Sequence, residues 1–125
     1  MKQITLSLIT IFLFISASCQ PLPDSTKVKY LAAKTDEQKG NCLFSYFATQ
    51  LVTDSSTAGN TLALLDWFGK QNDQTGKDYT NIKLSSVLTA KGDFPASLNL
   101  LFSVLSRFEK RKDDFGIGLT YRTIG

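Results

Sequence analysis

The sequence predicts a small all-α domain of three to four helices with an extended C-terminal tail. Three observations point there. Leu98, Leu101, Phe102, Leu105 and Phe108 recur at three- and four-residue spacing, with Asn99, Ser103, Ser106 and Lys110 on the opposite stripe, which is the period of an amphipathic helix. Helix punctuation is present: Thr35 and Gln38 have the spacing of a capping box, and Pro95 suits a first turn, where a missing N–H costs nothing. Strand-type alternation is confined to Ile117, Leu119, Tyr121 and Thr123, read as the tail, and to Ile82 and Leu84. Pairing residues 80–84 with 117–121 would give an α+β alternative with a two-stranded ribbon.

The chain opens on a segment of export type. Lys2 is basic, residues 4–15 are mostly apolar, and Ser16, Ala17 and Ser18 are the small residues a signal peptidase needs. Residues 1–18 therefore read as a secretory signal peptide; the apolar run is short for a spanning helix, which needs about 20 residues. Its end, Ala17-Ser18-Cys19, resembles a bacterial lipoprotein signal, in which small residues precede a cysteine that receives the lipid. Ser16 stands where such signals usually carry Leu, Val or Ile. The resemblance implies lipidation of Cys19, and with it attachment to the membrane; ordinary cleavage before Cys19 or before Gln20 is the other reading. Residues 19–27, with Pro21, Pro23, Asp24 and Ser25, read as a tether, and residues 28–125 as one small domain.

Within that domain the expected elements follow in order. Thr35 begins a helix over residues 36–52, with Asp36 and Glu37 at its positive end and Leu43, Phe44, Phe47, Ala48 and Leu51 on its apolar face. Residues 53–60 read as a loop, and residues 61–70 as a second helix capped by Asn60 or Ser56. Residues 71–78 are the most loop-like run. Residues 81–90 fit strand or helix, with Gly92 favouring helix as a stop signal. Residues 94–112 form the clearest helix, the one the rest should be organised around, with Asp93 ahead of it and Gly116 as its stop. Leu65, Phe68, Lys70, Asp73 and Gly76 reappear forty residues later as Leu105, Phe108, Lys110, Asp113 and Gly116. Two amphipathic helices with similar ends look alike by chance, which is the simpler reading of two copies.

Few chemistries fit. The chain has no histidine, the usual general base near neutrality and the commonest metal ligand. Gln38, Gly40 and Cys42 are loosely similar to the nucleophile region of papain-like cysteine peptidases. The glutamine-to-cysteine spacing is shorter here, and a thiol without a base is a poor nucleophile. A truncated or degenerate peptidase of that kind would need a histidine-bearing continuation. Asp66 and Glu109 read as surface acids. Asn72, Asp73 and Asp78 around Gly76 fail the EF-hand pattern, because Gln71, Thr75 and Ile82 stand where oxygen ligands belong. Arg107, Lys110, Arg111 and Lys112 suit a helix C-terminus. Removing Lys2 leaves thirteen basic and eleven acidic side chains, a balance that asks for no nucleic acid. No cofactor or metal site is expected. The aromatic set Phe44, Tyr46, Phe47, Trp67, Phe68, Phe102 and Phe108 reads as core, and any exposed share as a partner groove. The expected function is that of an exported, non-enzymatic cell-envelope protein acting through a protein partner as adaptor, inhibitor or immunity-type protein. The alternative is a binder of lipid or another apolar ligand between helices.

Overall fold

Among the described residues, five of the six helices start on a side chain that accepts a backbone N–H. Thr35 accepts from Gln38 while the Gln38 side chain answers Thr35, so the capping box is formed. Asp54, Asp73, Asp93 and Asp113 cap the later helices, each through its own carboxylate. A computed structural model of the chain describes residues 21–125. It places helices α1 (Asp24–Ala32), α2 (Asp36–Ala48), α3 (Ser55–Lys70), α4 (Gln74–Ala90), α5 (Phe94–Arg111) and α6 (Asp114–Ile124). The signal-peptide and Cys19 expectations lie outside the described residues.

Six helices, with no strand among the described residues, correct the expectation of three to four helices with an extended tail, and the ribbon alternative with it. The tail is α6. Its Ile117, Leu119, Tyr121 and Thr123 alternate in sequence, but Asp113 caps a helix there by accepting from Gly116 N–H, and Thr120 on the other parity is fully buried. Gly116 is thus near the start of α6; the stop of α5 is Lys112, in the left-handed conformation at φ 56°. Residues 71–78 are only partly loop, because Asp73 starts α4 at Gln74. Residues 80–84 lie inside the same helix. Part of the run read as tether, from Asp24 onward, forms α1, and Leu22 is buried.

Helix α4 is the centre of the molecule. It packs against α3, α5, α2 and α6, and it buries Asp78, Tyr79, Thr80, Ile82, Ser85 and Val87. Helix α5, the one the rest should be organised around, instead lies on one side of α4. Its Leu101, Val104, Leu105 and Phe108 are buried, but Phe94, Leu98 and Phe102 are 59%, 41% and 56% exposed. The alternation α1–α2, α3–α4, α5–α6 puts α2, α4 and α6 in mutual contact as one layer, with α1, α3 and α5 outside them.

The forty-residue similarity is a structural equivalence. An ideal Cβ on Gly76 would lie 2.4 Å from the Phe68 ring, and one on Gly116 would lie 2.4 Å from the Phe108 ring. Asp73 and Asp113 each accept from the glycine N–H through Oδ1 and from a tyrosine hydroxyl through Oδ2, Tyr30 and Tyr79 respectively, both at 2.6 Å. Thr80 and Thr120 each donate to the glycine carbonyl at 2.7 Å. Asn72 and Lys112, also forty apart, are the two non-glycine residues with positive φ among the described residues, at 54° and 56°. The hairpins α3–α4 and α5–α6 therefore turn, cap and pack by the same contacts, which chance resemblance between two helices does not produce.

Candidate binding groove

The inner layer of helices leaves a half-open apolar groove of about 200 Å³. Phe44, Phe47 and Ala48 come from α2, Tyr79, Ile82, Lys83 and Ser86 from α4, and Leu119 and Thr123 from α6. Close approach of α2 and α4 makes it possible: a Cβ on Gly40 would fall 2.4 Å from the Tyr79 ring, so only glycine lets the ring lie there. The Tyr79 hydroxyl then donates to Asp113 and fixes α4 to the start of α6. Burial, followed by that hydrogen bond, pushes the Tyr79 hydroxyl well above its ordinary range. Lys83 donates to the carbonyls of Phe47, at 2.9 Å, and Gln50, satisfying the open C-terminal end of α2. Burial holds its ammonium below the usual lysine range. Phe44, 39% exposed, stands on the rim.

Between α4 and α5 sits an ion network built on one buried carboxylate. Asp78, fully buried, accepts from Arg107 Nε at 2.6 Å, Arg111 Nη1 at 2.8 Å and Gln74 Nε2 at 2.9 Å. Arg111 Nε also lies 3.6 Å from Asp36 Oδ2. The basic cluster is thereby divided. Arg107 and Arg111 turn inward to hold α5 on α4, while Lys110 and Lys112 are exposed. Asp78, set aside in the sequence as a failed calcium ligand, is a structural anion with two guanidinium partners, the pairing a buried carboxylate needs.

The other sequence candidates are dispersed. The Cys42 thiol donates to Thr26 carbonyl at 3.5 Å, tying α2 to α1. Burial pushes the thiol above its ordinary range, with Lys29 opposing, the reverse of an activated nucleophile. Among the described residues it has no disulfide partner. Asp66 pairs with Lys70 at the surface, and Glu109 is exposed on α5. Among the described residues no group of three or more His, Cys, Asp or Glu could hold a metal ion, and no helix is long and apolar enough to cross a membrane. Of the aromatic set, Phe68 and Phe108 form two equivalent tilted ring pairs, with Tyr30 and Tyr79; Phe44 and Phe47 line the groove, and Phe102 faces solvent. Sequence reasoning missed Tyr79, Lys83 and Ser86 as lining residues. Only Gly40, an unexplained glycine within a helix, hinted at a large neighbour. No family model, curated protein or solved structure matches the chain.

Proposed function

We propose that this chain is an exported, non-enzymatic protein-binding module of the cell envelope, and that its groove receives an apolar side chain or short segment of a protein partner. Stacked helical hairpins with repeated contacts are the building principle of α-solenoids such as tetratricopeptide arrays, whose inner helices present a binding surface to protein partners. The observation that carries the reading is the groove itself, lined by all three inner helices and open on one side. Its size favours a protein partner over the lipid-binding alternative: about 200 Å³ is below the roughly 300–1,000 Å³ of sites that enclose a small molecule. Attachment to the membrane through a lipid on Cys19 belongs to the same proposal and rests on the small residues before that cysteine.

Affinity capture from the native envelope tests the binding role, with wild type compared against Phe44→Glu and Ser86→Trp at the groove. A partner retained by wild type and lost from both variants supports it. Equal recovery by all three, or a co-purifying lipid displaced by Ser86→Trp, overturns it. Detergent phase partitioning tests the anchor separately: wild type enters the detergent phase and Cys19→Ala shifts to the aqueous phase, whereas identical partitioning refutes lipidation.

A further inference from the structure

A second side of helix α6 adjoins the groove at Phe44 and Leu119 and is exposed. The equivalence of the two hairpins identifies it. On α4, positions 78, 82 and 85 are buried and 81 half-buried, and Asp78 and Ser85 make direct hydrogen bonds to α5. Their counterparts within α6, forty residues on from 78, 82 and 81, are Gly118, Arg122 and Tyr121, and all three are exposed. The side of the helix that takes a neighbouring helix on α4 is thus open on α6.

The charges on that side say what fits it. Asp114, Gly118 and Arg122 form one i, i+4 ridge, with Gly118 midway between an exposed acid and an exposed base. A Cβ on Gly118 would meet nothing within 4 Å, so another helix can approach the backbone there. A shallow cleft between α2 and α6 runs along the same ridge, lined by Phe44, Phe115 and Leu119 beside it. A two-fold axis through Gly118 lays a second α6 antiparallel on the first. It brings glycine to glycine and sets Asp114 of each chain opposite Arg122 of the other. Such self-complementarity is what a two-fold interface requires, and ridges of i, i+4 type are the commonest way two helices interdigitate.

We infer that a second copy of this chain docks on this face, forming a symmetric dimer through antiparallel α6 helices centred on Gly118. The test is the mass of the full chain in mild non-ionic detergent, followed by light scattering over a wide concentration range. Wild type should give a concentration-dependent dimer. Asp114→Arg or Arg122→Asp alone should weaken it at least about tenfold, because each places like charges opposite one another. The double variant D114R/R122D should dimerise again, since the reversed pairs still match. Gly118→Arg should abolish the dimer by filling the crossing point, and it protects the test should Asp114→Arg disturb the helix start; helical content by circular dichroism confirms folding of each variant. A monomeric wild type at every concentration overturns the inference. So does a dimer that survives Gly118→Arg, or a double variant no better than the single ones.

Discussion

At Gly76 and Gly116 a hydrogen atom decides how close two helices come. With a ring 2.4 Å from any added Cβ, Gly76→Ala and Gly116→Ala should each lower stability by about 2 kcal/mol, as overpacking does. Gly59, in α3 with open space around it, should respond the other way: Gly59→Ala gains up to about 1 kcal/mol from helix propensity. Urea melts of the three variants check both signs. Tyr30 and Tyr79 make the second residue-scale prediction. Burial and then the hydrogen bonds to Asp73 and Asp113 raise both hydroxyls above their ordinary range. In the unfolded chain they ionise near pH 10. Above that pH these two groups hold more protons in the folded state than in the unfolded one, so their contribution to stability is constant below about pH 10 and falls above it, by up to roughly 1.4 kcal/mol per pH unit for each group. Lys83, lowered by burial, acts oppositely, since the unfolded chain keeps its proton longer as pH rises toward the ordinary lysine value. Tyr46 and Cys42, also raised by burial, act with the two tyrosines, and the four together outweigh Lys83. Melts between pH 8 and 11 should show the loss, and Tyr79→Phe should remove part of it; an alkaline profile unchanged by that variant would contradict the assignment.

At the scale of helices, α5 shows both what a sequence reveals and what it conceals. Its span was legible, because Asp93, Pro95 and the basic last turn are local signals read within one turn, although the residue that stops it is Lys112 and not Gly116. Its facing was only half legible. Leu101→Ala and Leu105→Ala should cost on the order of 2–5 kcal/mol, whereas Leu98→Ala and Phe102→Ala, at positions that share the helical period but face solvent, should each cost less than about 1 kcal/mol. Denaturant melts that rank all four alike would refute that division. Periodicity cannot separate a side chain packed on a neighbour from one beside it, because the neighbour is not in the pattern. The central helix was the least legible for a related reason. Helix α4 buries Asp78, Thr80 and Ser85, satisfied by Arg107 and Arg111, by the Gly76 carbonyl and by the Ile82 carbonyl. Polar groups with distant or backbone partners erase the apolar stripe that marks a core helix. The tail misled in reverse, since alternating Ile117, Leu119 and Tyr121 imitate a strand in a segment whose conformation is fixed by the Asp113 cap. The groove shared this opacity: Phe44 and Phe47 were visible as apolar, but Tyr79 and Lys83 joined them only through the contact of α2 with α4.

For the whole molecule, the organising fact is that one apolar cluster, running from Leu22 through Tyr79 to Phe108, is cross-tied by polar clasps between separate hairpins. Tyr79 reaches Asp113 across 34 positions and Arg107 reaches Asp78 across 29. The Tyr30–Asp73 bond spans 43 and is the longest of these reaches. It also has a mechanical meaning. A load applied on the N-terminal side of the domain enters through α1, which packs on α2 alone among the helices at backbone level. From there tension divides, with Tyr30 passing part of it directly to the first turn of α4 and bypassing α2 and α3. The tyrosine is a tie-rod. While it holds, pulling loads the central helix as a unit; once it parts, α1 can peel away turn by turn and leave the remaining hairpins standing.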